Sequence, residues 1–92
     1  MPMTKEQQVE VTKLEQQLWV SEPERRRAAM ADGHYQVAEE DGIDLDMDEL
    51  NKDLLADGLP PFATLAEVRQ AAQKFQTFEA EVALAIMKPP TH

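Results

Sequence analysis

The run Asp44-Leu45-Asp46-Met47-Asp48 alternates carboxylates with apolar residues, the pattern that opens a calcium-binding loop. A loop of the EF-hand type also needs glycine at its sixth position, for the sharp turn, and a bidentate glutamate at its twelfth. Those positions hold Glu49 and Leu55. The run therefore reads as a helix cap on a solvated acidic face. His34, beside Glu39 and Glu40, is the next candidate ligand or base. The only other histidine is the terminal His92, so no histidine pair stands at metal-binding spacing. His34 reads as a surface residue. Ser21 is the only serine; no motif supplies it with a histidine, and it reads as an N-cap, not as a nucleophile. There is no cysteine, which excludes disulfides, thiolate metal sites and a cysteine nucleophile. The three glycines, Gly33, Gly42 and Gly58, each follow a predicted helix and do not gather into a phosphate-binding loop. No catalytic, cofactor-binding or metal-ligating residue is assigned, and the chain is read as a non-enzyme.

Charge says more than motif. The 92 residues carry a net charge of −9. Residues 1–31 and 58–92 are each neutral, while residues 32–57 hold ten acids against Lys52 alone. Nucleic-acid binding needs clustered Lys and Arg, so that partner class is excluded. The one basic cluster, Arg25-Arg26-Arg27, points in three directions about 100° apart on a helix. Pairing within the chain, with the acids of 39–49, is its expected role. No stretch approaches the roughly 20 apolar residues of a membrane span, and no signal peptide is visible behind Met1. Cysteine-free composition favours a reducing cytoplasm.

These residues must be positioned by helices. Aromatics are few (Trp19, Tyr35, Phe62, Phe75 and Phe78) and 42% of the chain is hydrophobic, so Leu, Val, Ile, Met and Ala build the core, which suits helices. Thr4 with Gln7 forms a capping box ahead of a helix over 5–19, with Val11, Leu14 and Leu18 at helical spacing. Ser21 and Glu24, with Pro23 in the first turn, start a helix over 22–32 that stops at Gly33. A short helix follows from His34 to Asp41, ending at Gly42 with Ile43 packing back; continuity through Gly33 is the alternative, at about 1 kcal/mol. Asp46 and Glu49 cap a helix bearing Met47, Leu50, Leu54 and Leu55, closed by Gly58. Leu59-Pro60-Pro61-Phe62 is a rigid connector that frees Phe62 to plug a gap. Thr64 with Glu67 opens the longest helix, about 23 residues, whose apolar face runs from Leu65 through Phe75, Phe78 and Val82 to Ile86, until Lys88-Pro89-Pro90 stops it. The fold expected is all-α: a small bundle of four to five helices with a long C-terminal helix. It is one domain over 1–92 with short tails at 1–3 and 88–92. A core of this size is marginal, so a partner or self-association as a homo-oligomer would support it.

Two segments resemble known helical families. Val37 to Leu50, a helix, Gly42, apolar Ile43, the Asp46 cap and Leu50, resembles the nitrogenase-associated leader-peptide family, small helical domains recognised by peptide-modifying enzymes. The chain departs from it in lacking a Gly-Gly cleavage end and a modifiable C-terminal core. Leu14 to Met30, with Leu18-Trp19 and Pro23-Glu24-Arg25-Arg26, is similar to the small-subunit family of extradiol ring-opening dioxygenases. That resemblance implies an all-helical subunit that covers a catalytic partner without supplying metal ligands. The function expected is a non-catalytic acidic protein-binding module: an accessory small subunit, adaptor or inhibitor of a larger protein with a basic surface. The alternative is a leader or substrate protein of a modifying enzyme. Asp44, Asp48 and Asp53 would steer the partner. Phe75, Phe78, Val82 and Ile86 would anchor it, together with Trp19 if that residue is an interface hot spot and not a core anchor between the first two helices.

Overall fold

The computed structural model describes residues 3–87, which form four helices: α1 (Lys5–Leu18), α2 (Glu22–Asp41), α3 (Met47–Ala56) and α4 (Leu65–Met87). No strand occurs among the described residues. The fold is all-α. The expected tail residues 1–2, and the Lys88-Pro89-Pro90 stop with the rest of 88–92, lie outside the described residues.

Local chemistry sets every helix start. The Thr4 hydroxyl accepts from the Gln7 N–H at 3.2 Å while Gln7 Oε1 accepts from the Thr4 N–H at 2.9 Å, a closed capping box. Ser21 and Thr64 cap α2 and α4 through the Glu24 and Glu67 N–H groups. The returning carboxylates of Glu24 and Glu67 reach one residue further than a capping box requires, to the N–H of Val20 and of Ala63. Asp46 accepts from both Asp48 and Glu49. These bonds satisfy donors that a helix leaves orphaned at its first turn.

The helix ends differ from expectation at two places. Helix α1 closes at Leu18, and Trp19 follows in extended backbone. Helix α2 does not stop at Gly33: it is continuous over 20 residues. Gly33 keeps a negative φ, whereas Gly42 (φ 66°) and Gly58 (φ 74°) adopt the left-handed conformation that terminates a helix. Their caps are complete, with Ile43 N–H donating to Ala38 and Leu59 N–H to Leu54. Continuity has a packing cause. Ala28, Ala31, Asp32 and Ala38 are buried on one face that runs past Gly33, and α2 packs along α4. That burial outweighs the roughly 1 kcal/mol that glycine costs in a helix interior.

The core comes in two clusters. Ala31, Leu50, Leu54, Leu59, Phe62 and Val68 join α2, α3, α4 and the proline connector. Phe62 does plug a gap, and Asn51 holds it: Oδ1 accepts from the Phe62 N–H at 2.8 Å and Nδ2 donates to its carbonyl at 3.1 Å. The second cluster is Trp19, Ala28 and Phe78, with Val11, Leu14, Leu18, Phe75 and Val82 against it. Trp19 Nε1–H is buried with no acceptor among the described residues. That costs about 1–3 kcal/mol, less than the roughly 4–6 kcal/mol from burying the ring.

The arginines pair within the chain, but not with the acids of 39–49. Arg25 bridges to Glu15 at 2.8 Å and Arg26 to Asp57 at 3.5 Å. Arg27 lies over the Phe62 ring at 3.8 Å and donates to the carbonyls of Pro60 and Pro61, both at 2.8 Å. The reason is placement: residues 25–27 sit in the first turns of α2, whereas Glu39 to Asp41 form its last turn, about 18 Å or more along the axis, and Asp44 to Glu49 belong to the turn and the start of α3 that follow it.

Candidate functional site

Gly42 turns the chain sharply, and the 43–46 segment leads α3 back along α2. Met47, Leu50 and Leu54 of α3 pack against Ala31. The approach leaves an open groove of about 450 Å³ where the C-terminal half of α2 meets the start of α3. Ala38 and the half-buried Leu45 form its base, and Val37 and Ile43 its apolar walls. Val37 is 56% exposed and Ile43 62%. Ile43 thus packs back only through its N–H; its side chain faces solvent. Asp44, Asp46 and Glu49 rim the groove, and His34 lies at its edge with Nε2 3.0 Å from Asp53 Oδ2.

The electrostatics are unbalanced. No acid from Glu39 to Glu49 has a cationic side chain within 4 Å among the described residues. Glu39, Glu40 and Asp41 also close α2, whose last turn holds no base. The C-terminal end of a helix carries about half a negative charge, so carboxylates there are unfavourably placed. An apolar trough thus sits inside a negative field whose acids form no ion pair among the described residues; Arg69 of α4 lines a neighbouring cleft with Glu39 and Asp44.

A second cleft, about 240 Å³, lies between Trp19, Arg27, Phe62 and Lys74. Its charges answer one another. Lys74 Nζ is 3.2 Å from Glu24 and 4.7 Å from the Trp19 ring centroid. The Val20 N–H, and then Lys74, hold the Glu24 carboxyl below its ordinary range against partial desolvation. This cleft has no comparable unmet charge.

The expected site residues divide. Trp19 and Phe78 are buried at 6% exposure, in an aromatic triad with Phe75 whose ring centroids lie 6.0–6.5 Å apart. Phe75 and Val82 are half-buried against the same cluster. The α4 face offered as a partner anchor is therefore turned inward, covered by α1; of those residues only Ile86, at 43%, is exposed. Trp19 is a core anchor, seated against α4 as well as between α1 and α2. Asp44, Asp48 and Asp53 are exposed, but they are not gathered: Asp44 rims the groove, Asp48 stands on the first turn of α3, and Asp53 faces His34.

The alternating acids do not converge on a cation position. Asp46 is spent on its cap, and among the described residues no three His, Cys, Asp or Glu side chains form a metal-holding group. Ser21 likewise serves as a cap. Sequence reasoning missed Asp32, which is 5% exposed. Its carboxylate accepts from Gln76 Nε2 at 2.8 Å and from Gln36 Nε2 at 3.0 and 3.2 Å. Only its i+4 spacing from Ala28 marks it out from the other acids. Among the described residues no helix is long and apolar enough to cross a membrane. No family model, curated protein or solved structure matches the chain.

Proposed function

We propose that the chain is a non-catalytic acidic protein-binding module, acting in the cytoplasm as an accessory subunit, adaptor or inhibitor of a larger protein. The observation that carries this reading is the groove between α2 and α3, where exposed Val37 and Ile43 stand among carboxylates that form no ion pair among the described residues. Exposed apolar side chains inside a charged rim are the composition of a binding surface. Glu39, Glu40 and Asp41 repel one another and oppose the α2 dipole, so they lower stability in the free chain and are relieved by a basic partner. The likeness of Leu14 to Met30 to dioxygenase small subunits points the same way.

The test is purification of the tagged full chain from its native cells at low ionic strength, followed by reconstitution with whatever protein co-purifies. The expected result is one larger protein in stoichiometric amount, released by salt. Asp44→Asn with Asp48→Asn should slow association several-fold and flatten its salt dependence. A chain that purifies alone, or a complex whose association rate ignores both substitutions and salt, refutes the reading.

A further inference from the structure

Resting on that reading, we infer that the α2–α3 groove is the docking site and that its occupant is a basic amphipathic helix of the partner protein. Three features select this occupant. The first is shape. Val37 and Ile43 are more than half exposed, so the trough is too open to bury a small ligand, which needs most of its surface enclosed. Its α2 wall, from Gly33 to Ala38, runs roughly 8 Å at 1.5 Å per residue, enough for apolar anchors at i and i+3 or i+4 of a docked helix. Gly33 offers open space where a side chain would stand, with nothing within 4 Å of a Cβ placed there. A partner backbone can approach closely at that end.

The second feature is charge. Asp44 and Glu49 flank the trough without an ion pair among the described residues, Arg69 lining only the neighbouring cleft beside Asp44, so Lys or Arg on both flanks of the incoming helix would complete the rim. The third is the α2 terminus. Glu39, Glu40 and Asp41 surround carbonyls at the negative end of the dipole, with no base in the last turn. A partner cation placed there would meet both the carboxylates and the helix end. A strand would find no sheet edge to extend among the described residues.

The probe is a synthetic peptide of about 14 residues, four helical turns, with Leu at helical spacing and Lys at the other positions. Its counterpart carries Glu in place of every Lys. Each is titrated into the isotope-labelled full chain, followed by methyl resonances. The Lys peptide should shift Val37, Ile43 and Leu45 saturably, and the Glu peptide should not. Val37→Ser with Ile43→Ser, both at exposed positions, should weaken binding about tenfold or more by removing apolar contact. Asp44→Asn with Glu49→Gln should slow association several-fold and reduce its sensitivity to salt between about 0.01 and 0.5 M. Val20→Ser, at a residue 93% exposed outside the groove, should change nothing. Equal binding of the two peptides, shifts centred on another surface, or unchanged affinity in the Val37→Ser/Ile43→Ser variant would overturn the assignment. If that variant still holds the native partner, the groove is wrong while the binding-module reading stands. If the wild-type chain holds no protein at all, both fall.

Discussion

Replacing Gly33 by alanine separates a helix that passes through residue 33 from two helices that meet there. In a continuous α2, Gly33 has ordinary helical backbone, and a Cβ built on it meets nothing within 4 Å. Alanine then loses less backbone entropy on folding and collides with nothing, so it should stabilise the fold by about 0.8–1 kcal/mol. For a domain of this length, that raises the melting temperature by about 4–8 °C. Were Gly33 a left-handed cap, the same substitution would destabilise by about 1–2 kcal/mol. Gly42→Ala supplies the contrast in the same molecule, because its φ of 66° is genuinely left-handed; that variant should melt lower by a similar number of degrees. The assay is helical ellipticity against temperature, with urea denaturation as a second measure. A Gly33→Ala variant that melts below the parent would refute the continuous helix. It would also undo the groove, whose α2 wall requires Gly33 and Val37 on one helix.

Three further outcomes are expected. Arg27→Ala should destabilise by about 1–2 kcal/mol in urea melts, through loss of the Pro60 and Pro61 carbonyl bonds and the Phe62 stacking; Arg27→Lys should recover only part of it, because an ammonium lacks the planar fork. Asp32→Ala should destabilise by about 1–2 kcal/mol, through loss of charge-assisted bonds to Gln76 and Gln36, whose exposed amides turn to water; an effect under about 0.5 kcal/mol would show that those bonds do not hold α2 to α4. Glu24 has a depressed folded pKa, so its contribution is complete above the unfolded value of 4.5 and is lost as pH falls through the lower folded value. Glu24→Gln should therefore flatten part of the acid limb of a stability-against-pH curve below the ordinary glutamate range, and an unchanged limb would count against the Val20 and Lys74 contacts.

What could be read from the residues follows the range of the interaction. Thr4, Ser21, Asp46 and Thr64 announce helix starts because capping joins groups two to four residues apart. Gly42 and Gly58 announce ends for the same reason. Gly33 looks identical in sequence, and only the burial of its α2 neighbours Ala28, Ala31, Asp32 and Ala38 decides its φ. Arg27 ends on carbonyls 33 and 34 residues away, a distance at which charge pattern carries no information about partners. The apolar stripe of α4 is legible as a stripe. Whether it faces a partner or the chain's own α1 depends on a crossing that no local spacing encodes. The groove is illegible for a related reason. Val37 and Ile43 are ordinary apolar residues until the turn at Gly42 sets them facing one trough.

The acidic segment is where local chemistry and global stability disagree most. Most termini in this fold obey the rules: caps are filled, acids occupy the first turns of all four helices, and both left-handed positions are glycine. Agreement among such choices is what lets a short chain with a thin, divided core fold. The last turn of α2 breaks the pattern, with three carboxylates set against the dipole and in no ion pair among the described residues. Asp32, Asp53 and Asp57 show that the chain can satisfy an acid when it needs to, through Gln76, His34 and Arg26. Glu39, Glu40, Asp41 and Asp44 have no such partner among the described residues, and they lie at or beside a groove whose apolar walls are also uncovered. Two unmet demands of different kind, one apolar and one ionic, coincide in space. Solubility accounts for the charge but not for its position beside Val37 and Ile43, whereas a basic amphipathic helix answers both.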